Sequence, residues 1–308
     1  MSQLWAGFGT STVADTQAAI HAAVRAAKAQ LGDRSPGLAV VTATVEHDGR
    51  AIFAALRESL PNVPIHGVTT SLGVLTKQGI VTGADGAVAV LLFASSGNIS
   101  FSVASAVLGD DARAAGRRAA EQIARSAQPP RVLLFNGSPG REEDTLAGIA
   151  EVLPGIPAFG GSAADHAIVG EWWVFANDGA HRDAVSVAAL CGDVAFGGSL
   201  LAPFTATSAQ AKVTAGQDRH IVSLDGRPAA EVLNQWLDDG LALQLSEGGN
   251  ILAQTLAEAR TVAEEAARQA TEASADAVNE LRRLQEQLSE RLSDSEASTR
   301  RAIETAVA

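Results

Sequence analysis

Cysteine, long apolar runs and basic charge are scarce in this chain of 308 residues. The single cysteine, Cys191, excludes an intrachain disulfide and a zinc site built on clustered cysteines. The longest apolar runs, such as AVAVLLFA at 87–94, are far shorter than the roughly 18 residues that a membrane span requires. The first residues lack the basic and apolar regions of a signal peptide. We therefore expect a cytoplasmic protein without a membrane span.

Acidic residues outnumber basic ones, 35 to 23, which gives a formal net charge of −12. This balance repels phosphate backbones and anionic lipids, so nucleic acid and membrane surfaces are excluded as main partners. Hydrophobic residues make up 46% of the chain, enough for a sizeable core. At about 150 residues per domain, the length indicates two structural units.

The composition changes abruptly near residue 250, because 250–308 contain no glycine, proline or aromatic residue. A stretch free of helix breakers and rich in Ala, Glu, Arg and Leu predicts one long helix over 251–308, after a glycine-containing hinge at 246–250. Its apolar residues recur at the a/d spacing of a coiled coil, at Leu252, Leu256, Ala259, Ala263, Ala266, Ala270, Ala273 and Ala277. A leucine section follows, at Leu281, Leu284, Leu288 and Leu292. The pattern predicts a homodimer through a coiled-coil signalling helix.

The part before residue 246 contains an internal repeat. The segments LPNVPIHGVTTSLG at 60–73 and LPGIPAFGGSAADH at 153–166 share the frame Leu-Pro-x-aliphatic-Pro-x-x-Gly, at an offset of 93 residues, which persists to Asp85-Gly86 against Asp178-Gly179. Each unit reads helix, strand, helix, turn, strand, hairpin, strand. We therefore predict an α/β fold of two repeats, at about 15–95 and 110–192, related by pseudo-twofold symmetry and closed by residues 193–245.

Three chemical motifs give weak signals. Gly7-Phe8-Gly9-Thr10 is half of a dinucleotide-binding fingerprint, but the third glycine is missing, so we interpret it as a tight turn feeding a helix. Neither Ser138 nor Ser162 lies in a G-x-S-x-G elbow, which leaves a serine-dependent hydrolase or transferase as an alternative without a specific spacing. The six histidines lie singly, which argues against a zinc site but leaves haem open, because haem needs only one axial histidine.

Polar residues cluster in and near the two repeated turns. Backbone amides of glycine-rich turns, combined with hydroxyl groups, suit a small polar ligand, and an arginine could pair with a carboxylate in bidentate fashion. The same residue types also serve as ordinary hairpin turns. The candidate ligand-binding residues are Thr69, Thr70, Ser71, Asn136, Arg141, Gly161, Ser162, Asp165 and His166.

Three segments resemble the N-terminal FIST sensory domain of bacterial signal-transduction proteins, over about residues 3–245. They are QLWAGFGTSTV at 3–13, LPGIPAFGGSAAD at 153–165 and RHIVSLDGRPAAEVLNQWL at 219–237. The resemblance implies an intracellular, non-enzymatic sensor that binds a small, amino-acid-like ligand and signals to a kinase, cyclase or chemoreceptor output. A subset of similar proteins are haem-binding nitric-oxide sensors, which is the alternative function. Family members usually continue into a second FIST domain, whereas the predicted coiled coil follows here.

We therefore expect a sensory domain at 1–245, the hinge, and the signalling helix. The segment AEEAARQA at 263–270 also loosely resembles a chemoreceptor methylation site, which would connect the chain to chemotaxis. Alternating Glu and Arg equally serve to solubilise the face of a coiled coil.

Overall fold

The structure is a computed structural model that describes residues 2–76, 79–166, 169–198, 205–217 and 220–237. The chain divides into two compact units, one of residues 1–76 and 80–202, the other of residues 77–79 and 203–308. The hinge at 246–250 and the coiled coil at 251–308 lie outside the described residues. Within the described part, no helix is long and apolar enough to cross a bilayer.

The first unit is mixed α/β, as the sequence predicted, and consists of two successive segments with the same order of elements. The first segment contains β1 (Gln3–Ser11), α1 (Thr16–Leu31), β2 (Leu38–Thr44), α2 (Gly49–Ser59), β3 (Ile65–Thr70), β4 (Val74–Thr76), β5 (Gly79–Val81) and β6 (Val88–Ser96). The second contains β7 (Ile99–Val107), α3 (Ala112–Ile123), β8 (Pro130–Gly137), α4 (Glu142–Val152), β9 (Ala158–Ser162), β10 (Val174–Ala176), β11 (Gly179–His181) and β12 (Ala184–Gly192).

The strand order also agrees between the segments. The first sheet runs β1-β6-β2-β3-β10-β11 and the second runs β7-β12-β8-β9, so the first four positions correspond. Each segment begins with a strand, at residues 3 and 99, and therefore one element earlier than the predicted starts near 15 and 110. Glycine in β1 and serine in β7 hide the apolar alternation of these strands. The pseudo-twofold axis itself stays a prediction.

Among the residues that the structure describes, the second sheet has no counterpart of the β10–β11 hairpin at the end of the first sheet. The hairpin β10–β11 comes from the second segment but extends the first sheet, because β10 pairs antiparallel with β3. Asp178-Gly179 lies at this hairpin, whereas Asp85-Gly86 lies in the turn before β6. The 93-residue offset therefore fails to match equivalent structures at this point, because the connections differ in length.

Hydrophobic residues form three layers of core in the first unit. Residues of the first sheet, such as Phe175, pack against residues of α1 and α2, such as Ile20 and Leu56. The second sheet packs in the same way against α3 and α4. The opposite faces of the two sheets pack on each other through residues such as Leu38, Phe101 and Leu190. The unit is thus a helix–sheet–sheet–helix sandwich, in which every sheet face has apolar cover.

Local chemistry explains where the helices begin. The side chains of Asp15, Asp48 and Asp111 accept hydrogen bonds from backbone amides in the first turns of α1, α2 and α3. Gly7 and Gly9 lie inside β1 rather than in a turn, which corrects the interpretation of this motif. Glycine fits there because a Cβ atom would lie 2.1 Å and 2.0 Å from carbonyl oxygens of α1.

The second unit contains a small sheet and one helix among its described residues. The sheet comprises β13 (Val213–Gln217), β14 (His220–Leu224) and β15 (Arg227–Pro228), and α5 (Ala229–Trp236) follows. Asp225 and Gly226 form the tight turn between β14 and β15 with positive φ angles of 49° and 75°. The sequence LDGRPA at 224–229 thus forms a strand, a turn and a helix start.

Candidate functional site

The carboxyl ends of three strands meet at one edge of the first sheet. Strand β2 is parallel to β3, and both β1 and β2 are antiparallel to β6, so β1, β2 and β3 all run the same way. Their following loops, near residues 12–15, 45–48 and 71–73, therefore lie at the same edge. Ligands of α/β sheets bind at such carboxyl edges. We define these loops, together with residues 163–166, as the candidate site.

Glu46 is the central acidic group of this site. It follows β2 and its Oε1 lies 2.7 Å from His166 Nε2. Burial raises the pKa of Glu46, but hydrogen bonds from the Thr44 side chain, from its own backbone and from His166 together hold the pKa below its ordinary value. Glu46 is therefore an ionised, partly exposed carboxylate at neutral pH.

His47, the next residue, is fully buried at the start of α2. Its Nδ1 lies 3.1 Å from the hydroxyl of Thr16, whereas its Nε2 is buried and has no partner among the described residues. Burial lowers the pKa of His47, against the opposing charges of Glu46 and Asp15, so the neutral ring is favoured. The Nε2 of His47 is thus an unpaired polar atom enclosed by protein.

His166 connects the second segment to this edge. Its Nδ1 accepts a hydrogen bond of 2.9 Å from the backbone amide of Leu72, so the neutral ring carries its proton on Nε2 and donates it to Glu46. Leu72 has a φ angle of 66°, a left-handed conformation that is unusual for leucine. Backbone strain of this kind concentrates at functional sites.

The three predicted residues at 69–71 differ in what they can offer a ligand. The backbone amide of Thr69 donates to Trp173, its hydroxyl accepts from the Trp173 amide at 2.8 Å, and its carbonyl accepts from Ala164. Thr70 donates its hydroxyl to the Gly73 carbonyl at 2.6 Å. The Ser71 hydroxyl is buried and has no partner among the described residues. Ser71 is thus the member of this group with an unpaired hydroxyl, which is enclosed by protein.

Asp165 and Asn136 have structural partners. The Asp165 carboxylate is buried and accepts backbone amides of Val169, Gly170 and Glu171, which fixes the loop beyond His166. Asn136 lies between the two sheets, where its side-chain nitrogen is 2.8 Å from His66 Nε2. The structure therefore places Asn136 in the core, and within the candidate site it gives Asp165 a buried structural role.

The remaining predicted residues lie at the carboxyl edge of the second sheet. The guanidinium of Arg141 donates to the carbonyls of Gly109 and Asp110, at 3.2 and 2.8 Å, so it already holds two backbone acceptors. Ser162 donates its hydroxyl to Glu142. Gly161 is exposed and has open space where a Cβ would lie. At this second edge, Arg141 and Ser162 are thus already held by partners within the protein.

Sequence reasoning identified Ser71 and His166 but missed Glu46 and His47. The available signal was their position, because the segment VEHD at 45–48 directly follows the buried strand β2. Polar residues after a buried parallel strand point to the ligand-binding edge of an α/β sheet. The repeat drew attention to the turns after β3 and β9 instead.

Two of the described histidines have no ring nitrogen left for a haem ligand. Both ring nitrogens of His66 and of His166 have hydrogen-bond partners. His47 has an unpaired Nε2, but this atom lies only 3.0 Å from the position of a Cβ on Gly86. A flat macrocycle cannot approach so close to backbone, so the residues at this site do not fit haem.

The FIST N domain family model matches residues 37–227, and the chain belongs to this family. The domain is a sensory domain implicated in signal transduction and in the binding of small ligands. The expected resemblance is therefore confirmed.

A crystal structure of a cyanuric acid hydrolase from A. caulinodans is similar to 62% of this chain and 71% of that chain, with 12% sequence identity and a TM-score of 0.34. So low a TM-score says nothing about function. No curated protein matches the chain.

Proposed function

We propose that this chain is a non-enzymatic sensory domain whose ligand is a small molecule with an ammonium group, bound at the carboxyl edge of the first sheet. The observation that carries the proposal is the ionised carboxylate of Glu46. Its partners among the described residues are the Thr44 side chain, its own backbone and the imidazole of His166. An ammonium group would supply the full positive charge that these partners lack.

A ligand of amino-acid type, which the family resemblance also implies, carries such an ammonium group. The Ser71 hydroxyl and the His47 ring nitrogen are buried and unpaired, so they could pair with such a ligand only after the loops around them open. A buried polar group without a partner costs stability, and a ligand that pairs with it recovers that cost. Ligand binding at this edge is therefore supported mainly by the charge of Glu46.

The proposed output passes through the C-terminal helix. We propose that residues 251–308 form a parallel homodimeric coiled coil and transmit the signal to a kinase or chemoreceptor partner, with chemotaxis as one such pathway. The support is the a/d spacing in the sequence and the family's role in signal transduction.

The serine-dependent alternative has less support from the geometry. The Ser138 hydroxyl donates to the Arg182 carbonyl at 2.9 Å and accepts from the Ala184 amide, while Ser162 donates to Glu142. In the part of the chain that the structure describes, neither hydroxyl is hydrogen-bonded to a histidine that could act as general base. We therefore retain the sensory function rather than a hydrolase or transferase.

Calorimetry with matched ligands tests the binding proposal. We would titrate the full chain with L-amino acids and with their N-acetyl derivatives, which lack the ammonium group. At least one free amino acid is expected to bind, and its acetylated form is expected not to. Glu46→Gln should weaken binding by about 10-fold or more, since hydrogen bonds to charged groups contribute about 1.5–3 kcal/mol.

The control is Glu171→Gln, which removes an exposed carboxylate from the loop next to Asp165. It should leave the affinity unchanged. An amino acid that binds the wild type and Glu46→Gln equally well would place the ligand elsewhere and remove this site from consideration.

A further inference from the structure

His166 belongs to the second segment, yet both of its ring nitrogens are bonded to the first. Nε2 contacts Glu46 after β2 and Nδ1 contacts the amide of Leu72 after β3. Close by, the amide of Ala164 donates to the Thr69 carbonyl at 2.9 Å. We define residues 163–166 as the bridging segment, because it attaches the second segment to the loops after β2 and β3.

The bond from Leu72 to His166 stabilises an unfavourable backbone conformation. Leucine at a φ of 66° is destabilised by contact between its Cβ and the neighbouring carbonyl oxygen. The amide of Leu72 points at the His166 ring in this conformation, so the hydrogen bond and the strain belong to the same state. Without this hydrogen bond, the left-handed conformation of Leu72 is no longer stabilised, and a second conformation of the turn becomes accessible.

We infer that His166 is the residue through which an occupied site changes the second segment. The inference rests on the proposed function, because a ligand ammonium at Glu46 competes with His166 Nε2 for the same carboxylate. When Glu46 turns to the ligand, His166 loses one of its two anchors, the Leu72 turn relaxes and the bridging segment is released. The ligand thus favours the relaxed conformation of the Leu72 turn, whereas His166 favours the strained one.

A mutant cycle tests the strained state without any ligand. Leu72→Gly and Leu72→Ala both remove the leucine side chain, but only glycine adopts a positive φ at no steric cost. With His166 present, the folding equilibrium constant of Leu72→Gly should exceed that of Leu72→Ala by about 5- to 30-fold. In a His166→Ala background this ratio should fall to about one or below, since glycine then only adds chain entropy.

Two outcomes of the cycle are decisive. If the Gly-to-Ala ratio is the same with and without His166, Leu72 keeps its conformation independently of the histidine and the inference is overturned. His166→Gln serves as a second background, because its amide oxygen can accept the Leu72 amide and should restore part of the ratio. It also keeps the test valid if His166→Ala does not fold.

Hydrogen exchange with n-propylammonium separates this inference from the proposed function. In the full chain, saturating n-propylammonium chloride should accelerate amide exchange in peptides covering 69–73 and 163–166, and the Glu46→Gln variant should show no such change. Binding that depends on Glu46 but leaves exchange at 163–166 unaltered would refute the inference and preserve the binding site. The opposite outcome is a Gly-to-Ala ratio that depends on His166 while no amine binds in a Glu46-dependent way. It would refute the proposed function and preserve the contact between His166 and Leu72.

Discussion

A fully buried histidine lies in the layer between the two sheets. His66 on β3 bonds through Nδ1 to the Ser186 hydroxyl at 2.9 Å and through Nε2 to Asn136. These contacts use both ring nitrogens of a neutral imidazole and join one strand of the first sheet to two strands of the second. Burial lowers the pKa of His66 from 6.5 to about 3. The residue is thus held neutral in the folded protein.

This shift predicts a specific loss of stability in acid. The unfolded chain protonates His66 as the pH falls below 6.5, whereas the folded chain does so only near 3. The contribution of the neutral His66 ring to the free energy of unfolding is therefore fully present above pH 6.5. It decreases as the pH falls toward 3, by at most about 1.4 kcal/mol per pH unit. Between pH 7 and pH 5, the free energy of unfolding measured with denaturant should fall less for His66→Gln than for the wild type.

The control for this prediction is His220→Gln, at an exposed histidine of β14. Its pH dependence should follow that of the wild type. Equal pH dependence in wild type and His66→Gln would show that His66 titrates alike in the folded and unfolded states.

At the residue scale, sequence reasoning found side chains that lie in turns and could not find their partners. It placed Ser71 and His166 in one candidate site, and the structure connects His166 to the turn that contains Ser71 through Leu72. It treated Arg141 as a ligand contact, whereas Arg141 is bonded to the carbonyls after β7. Such partners come from distant parts of the chain, and no local pattern specifies them.

Two glycines bring α3 and α4 unusually close together. A Cβ on Gly148 of α4 would lie 1.9 Å from the carbonyl oxygen of Arg113 on α3, and one on Gly116 of α3 would lie 2.1 Å from the carbonyl of Thr145. Both obstacles are backbone atoms, so a methyl group can be accommodated only by separating the helices. The close contact therefore depends on glycine at both positions.

Gly148→Ala should consequently destabilise the protein, although alanine favours helix by about 1 kcal/mol. We expect a net loss of about 1–3 kcal/mol in the free energy of unfolding, the usual effect of overpacking. Gly197→Ala is the matched control, because nothing lies within 4 Å of its Cβ position. It should change stability by no more than about 0.5 kcal/mol, measured by the same denaturant titration. Equal effects of the two substitutions would contradict the close contact.

At the element scale, helices with an aspartate cap were predictable and glycine-containing strands were not. Asp15 and Asp111 indicate the starts of α1 and α3, because their side chains satisfy free amides of the first turn. Strand β1 was read as a short strand and a turn, since glycine at 7 and 9 is typical of turns. Its glycines instead reflect the approach of α1, which is a tertiary contact.

For the whole molecule, the α/β class and the family could be predicted, because they depend on repeated and ordered motifs. The two copies of the Leu-Pro frame place equivalent turns before β3 and β9, and the LDGRPA segment forms the turn between β14 and β15. The pairing of β10 with β3 could not be predicted, because it joins the two segments through a hairpin whose partner the repeat does not indicate.

We expect the predicted coiled coil to determine the assembly of the whole chain, and its sequence divides into an alanine section and a leucine section. Alanine occupies every predicted a/d position from 259 to 277 and buries little surface, only one or two methylene equivalents at about 0.8 kcal/mol each. The leucine section must then contribute most of the association. A weak section between a sensor and a strong dimer contact allows small shifts between helices at low cost, which suits a two-state signal.

We therefore predict that truncation after residue 249 leaves the globular part folded but largely monomeric. Replacing Leu281, Leu284 and Leu288 together with serine should have the same effect in the full chain, because the main apolar seam is lost. Analytical ultracentrifugation measures the outcome, with circular dichroism as a check of folding. Serine at three polar positions outside the predicted a/d seam, Glu286, Gln287 and Glu290, is the matched control and should leave the predicted dimer intact. A dimer that survives both the truncation and the leucine substitutions would place the interface on the globular part and exclude the helix as its origin.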